Sequence, residues 1–361
     1  MGKKILLIVL ILLLAVVLVL RILPAVRTAE DPAAAETPDA APEPTIEPTP
    51  EPTPEPTPEP TPTPRPLLEP ELTDYLIDPV FFEPAEEQGT LEDLPYTTQD
   101  YIYQTMGQVE KNMRVYLPYG YDESRKYDVL FVFHTSGADE KFWLDYGHSY
   151  SVPGEANISG KVVNMLDNMI QRGMCAPLIV VSTSGYITPE MSTVHDSARD
   201  YPQFAEEFGS DILPAVVSHY STWAEGTSRE ELAAAREHIG VMGASFGAYM
   251  AEISILAPNL DLVSWYCLCG GGPVESGYLE PHWNDHGTLD QPISLLYFVE
   301  GEYDNRYPVE NAIAYLYYNE KFTEDNVLYT LIRNCAHEER SWVNALYNCL
   351  QLFFRSGPVE G

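Results

Sequence analysis

The chain has 361 residues and carries 54 Asp and Glu against 20 Lys and Arg, a formal net charge of −34. Such an acidic chain repels phosphate backbones, which argues against nucleic acid and against anionic membrane surfaces as partners. Hydrophobic residues make up 45% of it, so it can also build a substantial core.

The first element is an unbroken apolar run at 5–20, preceded by Lys3 and Lys4. Counted through Val26, it would form a helix roughly 33 Å long, enough to cross a bilayer core of about 30 Å. Arg21 could then snorkel to the interface. A cleaved signal peptide is the alternative, but its apolar core is typically shorter and ends at a small-x-small site. Here Leu23 and Arg27 stand two positions before Ala25 and Ala29. Residues 1–27 are therefore read as a membrane anchor or signal segment. Residues 28–70 follow as a Pro/Thr/Glu repeat that cannot bury a core and is expected to stay extended as polyproline II. Fully extended, its 43 residues would reach roughly 130 Å. An anchor followed by a spacer predicts an extracytoplasmic domain, tethered if the segment is retained and secreted if it is cleaved.

Residues 71–361 have globular composition and form the predicted domain. Apolar, β-rich runs at 113–117, 129–134, 178–182, 239–242, 262–268, 293–299 and 327–332 predict strands. The runs are continuous rather than alternating, as in strands covered on both faces of a mostly parallel sheet. Helical patterns fall at 158–171, 203–220, 246–256, 308–322 and 339–354, with Pro214 expected to kink or restart the second. The alternation specifies a three-layer α/β sandwich. In such sheets, function gathers beyond the carboxyl ends of the strands. Five cysteines, at 175, 267, 269, 335 and 349, outline neither a zinc pattern nor a disulfide framework. A Cys335–Cys349 bridge remains open.

Gly243-Ala244-Ser245-Phe246-Gly247 follows the strand 239–242 and leads into an apolar helix. This is the G-x-S-x-G elbow of α/β-hydrolases in the context it requires. The sharp turn holds a serine in a strained conformation, and the helix amino terminus favours developing negative charge. A serine hydroxyl needs a base to attack near neutral pH. His282, His286 and His337 follow Ser245. His337 lies after the last strand, where the base belongs, whereas the other two sit in a long polar loop at 273–290. The acid should end the penultimate strand, where Glu300, Glu302 and Asp304 compete. Asp304 is preferred because it lies beyond Gly301, far enough to fold back toward the base, and Glu302 is the alternative. The oxyanion donors are expected to be the N–H of Phe246 and that of Ser136, in the loop His134-Thr135-Ser136-Gly137-Ala138. Thr135, Trp143, His282 and Trp283 are candidate substrate-binding residues, and His195 and Trp265 could join the same aromatic pocket. No metal site is expected.

These residues make the domain resemble the esterase family that includes bacterial feruloyl esterases, carbohydrate esterase family 1. The likeness runs from about residue 89 to 354. It rests on ordered local matches at 115–122 (VYLPYGYD), Lys126-Tyr127, the loop at His134, 177–181 (PLIVV) and 211–214 (DILP). It continues through Gly243 to Gly247, Gly301-x-x-Asp304 and Ala336-His337. The resemblance implies a cofactor-free α/β-hydrolase that cleaves feruloyl or acetyl esters on plant cell-wall polysaccharide, with the triad Ser245, Asp304 and His337. There are departures. Thr135 and Ser136 replace two glycines of the family's oxyanion loop, Phe246 stands where many members have Met, and Ala248 where many have Gly. These leave the substrate open between acylated carbohydrate and other small esters. They also leave room for a general carboxylesterase or acyltransferase, or for an inactive carbohydrate-binding protein of the same fold.

Overall fold

The structure, a computed structural model, describes residues 66–150, 158–193, 196–271, 277–305 and 308–355. The chain divides after Pro58 into two units. The first unit lies outside the described residues, as does the predicted membrane segment. Among the described residues no helix is long and apolar enough to cross a membrane. The second unit holds the α/β domain. The amide of Leu68 already donates to the carbonyl of Gly173, and Asn348 brackets Thr73 through its N–H and its carbonyl.

Eight strands form one sheet in the order β1-β2-β6-β3-β7-β8-β9-β10. They are β1 Thr90–Gln99, β2 Gln108–Leu117, β3 Asp128–Phe133, β6 Leu178–Thr183, β7 Ile239–Ala244, β8 Trp265–Cys269, β9 Leu295–Gly301 and β10 Val327–Ile332. A separate hairpin pairs β4 Gly147–Tyr150 with β5 Ile158–Lys161. β1, β2 and β6 pair antiparallel, and every pairing from β6 through β10 is parallel. Side chains alternate between two cores. Val129, Phe131 and Phe133 of β3 join one cluster, and Leu130 and Val132 join the other.

The helices are α1 Val162–Gln171, α2 Ser197–Glu207, α3 Leu213–His219, α4 Arg229–Ala234, α5 Phe246–Tyr249, α6 Leu279–His286, α7 Pro308–Tyr318 and α8 Glu339–Leu352. One face of the sheet is covered by α1 and α8, the other by α2, α3 and the π-helical turn Met250–Leu256 that continues α5. These are the three layers expected from alternating strands and helices.

Several local expectations need correction. β1 was not anticipated, because its burial alternates and Pro95 interrupts the run. An edge strand tolerates proline, since one side of its backbone makes no ladder bonds. Residues 158–161 extend as β5 rather than beginning a helix. The segment expected at 203–220 starts at Ser197, capped by Asp196, and passes through a π turn at Phe208–Ile212 before α3 resumes with Pro214 in its first turn. Within the predicted loop 273–290 stands α6. Leu279 and Trp283, one turn apart, bury its inner stripe, and Gly287 ends it with φ +67°. All five cysteines are free and buried, so Cys335 and Cys349 are not bridged.

Candidate active site

The sheet's parallel strands end along one rim, and three of those ends deliver the predicted triad. Ser245 follows β7 with φ 55° and ψ −113°, a conformation that costs a non-glycine residue roughly 1–3 kcal/mol. The surrounding glycines allow it. A Cβ on Gly243 would lie 2.0 Å from the Gly247 carbonyl oxygen, and one on Gly247 would lie 2.4 Å from that of Phe133. The Ser245 amide donates to the Cys269 carbonyl at 2.7 Å, fastening the elbow to β8.

His337 Nε2 lies 2.8 Å from Ser245 Oγ, and His337 Nδ1 lies 2.7 Å from Asp304 Oδ2. The Asp304 side chain is fully buried, while that of His337 is 33% exposed and so reachable by a substrate. Two loops are stapled together to achieve this. The Glu302 amide donates to the Ile332 carbonyl at 2.9 Å, and the Tyr303 amide to that of Cys335 at 2.7 Å. The Glu302 carboxylate accepts the Asn334 amide at 2.8 Å. Glu302 therefore braces the base-bearing loop, and Asp304, not Glu302, meets the imidazole.

Two further residues shape the base, and neither was anticipated. Gly270, just beyond β8, has φ +65°, and a Cβ there would sit 2.9 Å from His337 Cε1 and 3.0 Å from Nδ1. The Trp342 ring meets that of His337 edge-on at 5.7 Å. A glycine run at the carboxyl end of a predicted strand was the available signal for the first. Nothing local marks the second, because that contact depends on how α8 docks.

The loop after β3 is built around a buried histidine. His134 Nδ1 donates to the Thr135 carbonyl at 2.7 Å, and Nε2 accepts the Gly185 amide at 3.0 Å. Both bonds suit the neutral tautomer, and burial pushes its pKa down to about 4. Ala138 closes a turn onto Thr135 with Gly137 at φ +78°, and the Gly137 amide donates to Tyr186 Oη at 3.2 Å. The Tyr186 ring stacks on Phe246, 4.9 Å away and nearly parallel. The loop holding Thr135 and exposed Ser136 is thus tied through Tyr186 to the residue after the nucleophile.

His134 is held neutral when folded but is free to protonate near its usual 6.5 when unfolded. It therefore contributes stability that is fully present above about pH 6.5 and is lost as pH falls toward about 4. The gap corresponds to about 3 kcal/mol. Urea unfolding of the wild type and His134→Asn at pH 7 and pH 4.5 checks this. The wild type is expected to lose more stability on acidification, and equal losses would exclude the assignment.

The other predicted pocket residues lie elsewhere. Trp143 is fully buried with Nε1 on the Phe133 carbonyl, and Trp283 is fully buried with Nε1 on the Leu256 carbonyl. Both are core residues, a correction that follows from their satisfied indole N–H groups in apolar surroundings. Trp265 opens β8 at the end of the sheet opposite the triad, donating to the Glu237 carbonyl. Half-buried His282 sits on α6, its ring 4.7 Å from that of Tyr278. His195 lies outside the described residues.

Fold and site together define an α/β-hydrolase with a hydrogen-bonded Ser–His–Asp triad. No protein-family model matches the chain. Endo-1,4-beta-xylanase Y of Acetivibrio thermocellus is 27% identical over 266 residues, 68% of this chain; the chain spans only 22% of that relative's length. Among solved structures, the feruloyl esterase module from Clostridium thermocellum, a serine-to-alanine mutant complexed with sinapinate, superposes with a TM-score of 0.60 at 22% identity. That match covers 81% of this chain and 96% of the module. A CE1 ferulic acid esterase from the anaerobic fungus Anaeromyces mucronatus gives 0.58 at 19% identity, covering 79% and 98%. The expected resemblance to feruloyl esterase modules is thus met in the fold of these solved structures.

Proposed function

We propose that the chain is a serine carboxylic-ester hydrolase that releases feruloyl or acetyl groups from plant-type polysaccharide through an acyl-enzyme on Ser245. The observation carrying this reading is the unbroken line of hydrogen bonds from Ser245 Oγ through His337 to Asp304. It is supported by the fold shared with feruloyl esterase modules.

In this mechanism Ser245 Oγ attacks the ester carbonyl carbon while His337 Nε2 takes its proton. Asp304 fixes the Nδ1–H tautomer and stabilises the imidazolium without being protonated itself. The amides of Phe246 and Ser136 receive the developing oxyanion. His337 then returns the proton to the departing alkoxide, leaving the acyl group on Ser245. Water, deprotonated by His337, attacks the acyl carbon; the bond to Ser245 Oγ breaks, His337 returns the proton to that oxygen, and the carboxylic acid leaves.

We further propose that this activity lies outside the cytoplasm, tethered to the membrane if the N-terminal segment is retained and secreted if it is cleaved. The apolar run at 5–20 and the Pro-rich spacer support that reading. Turnover of methyl ferulate and p-nitrophenyl acetate by the full chain tests the chemistry. No release of acid from either would end the proposal, and cleavage of acetate alone would favour a deacetylase.

Gly270→Ala is expected to lower kcat at least about 100-fold, because a displacement of the base by about an ångström costs that much. The added methyl would also be strained at φ +65°. Steady-state kinetics and circular dichroism of the variant check this, and unchanged kcat in a folded variant would contradict it.

A further inference from the structure

A cavity of about 480 Å³ opens beside the oxyanion loop, lined by residues 109–112 of β2, 137–140, 184, 186–190 and 192. It is linked to the reactive centre through the oxyanion loop and Tyr186. Gly137 and Tyr186 both line it, and Tyr186 is the residue stacked on Phe246. Its volume falls in the range of about 300–1,000 Å³ typical of small-molecule sites.

The lining is unsuited to a second aromatic acyl group. Ser184, Thr188 and Ser192 contribute hydroxyls, and Glu110, Asp139, Glu140 and Glu190 contribute carboxylates. Lys111 also lines the cavity, but its ammonium is taken by Glu207 at 2.6 Å and by the Ser184 carbonyl at 3.1 Å. No free cation is thereby offered to an anionic ligand. Among the described residues, no three acidic, His or Cys side chains converge in a way that could hold a metal ion. Asp139 already accepts the Lys141 amide and the Tyr146 hydroxyl, and Glu110 the Thr97 hydroxyl. Glu140 and Glu190 are therefore the acceptors for hydroxyl donors of a ligand, while Val109, Ile187 and Pro189 supply apolar surface for the C–H faces of a sugar ring.

We infer that this groove is a glycan subsite for the polysaccharide part of the ester, and that it selects neutral chains over those bearing uronic acids. The inference rests on the ester-hydrolase reading for its choice of ligand. Four carboxylates within one groove repel a uronate, and the repulsion between exposed charges weakens as salt is added.

The test is a calorimetric titration of the full chain with xylotetraose and with its glucuronate-bearing counterpart. The neutral tetramer is expected to bind at least fivefold more tightly at about 20 mM salt, with the difference shrinking at about 0.5 M. The double variant Glu140→Gln/Glu190→Gln is expected to bring the two affinities within about twofold of each other. Thr188→Trp, which fills the groove, is expected to weaken xylotetraose binding about tenfold or more. Equal binding of the two tetramers by the wild type, no binding of xylotetraose, or tighter binding of a polyamine such as spermidine would overturn the inference. Methyl ferulate turnover separates the two claims. Turnover without xylotetraose binding removes the groove alone, whereas selective binding without turnover keeps the groove and removes the esterase.

Discussion

Ser245→Ala is expected to lower kcat for methyl ferulate by about 10⁶-fold, the loss seen when a triad serine is removed from a hydrolase of this kind. The reason is geometric. Ser245 presents its hydroxyl 2.8 Å from the His337 nitrogen that must take its proton. A methyl group there leaves an intact oxyanion loop and base with nothing to form the acyl bond. Residual turnover should reflect binding and the oxyanion donors only. The same residue should be the one covalently labelled by a fluorophosphonate, read by mass spectrometry of the digested protein. A label on another serine, or wild-type turnover by the variant, would remove Ser245 from the mechanism.

The second large effect is expected at the acid. Asp304→Asn keeps the shape of the side chain but replaces an acceptor with a group that can donate toward Nδ1. The imidazole would then favour the tautomer with its proton on Nε2, facing the serine it must deprotonate. A drop in kcat of about 10⁴-fold follows. Glu302→Gln provides the contrast, since its carbonyl oxygen can still accept the Asn334 amide that Glu302 holds at 2.8 Å. That variant should retain kcat within a few-fold. Parallel kinetics on the two decide between the carboxylates, and a reversed order of effects would reassign the acid.

The acid illustrates where sequence reasoning reached its limit. Spacing narrowed the choice to a three-carboxylate segment, and Gly301 favoured Asp304 as lying beyond a turn. Only the stapling of that turn to the loop at 332–337 shows one carboxylate bracing an amide and the other meeting the imidazole. The aromatic residues illustrate a different failure. Trp143 and Trp283 read as candidates that could line a pocket, with a place in the core as the other reading. Each in fact spends its N–H on a strand or helix carbonyl inside the core. Burial of a large side chain depends on which segment packs over it, information that no window of neighbouring residues contains.

By itself the sequence determined what local chemistry dictates. Short continuous apolar runs bounded by turn residues read as strands, and β3, β6 and β7 are indeed covered on both faces, whereas the edge strand β10 exposes Tyr329 and Leu331. A serine in a glycine-flanked strand-to-helix turn reads as one presented at the sheet's rim. The order of serine, acid and histidine along the chain was equally legible. Tertiary structure decided what lies between distant segments. Gly270 beneath the imidazole, Tyr186 stacked on Phe246, and the groove beside the oxyanion loop all arise where chain segments many residues apart come within van der Waals contact. Such contacts are set by packing of whole layers, because close-packed interiors leave each side chain only the space its neighbours allow.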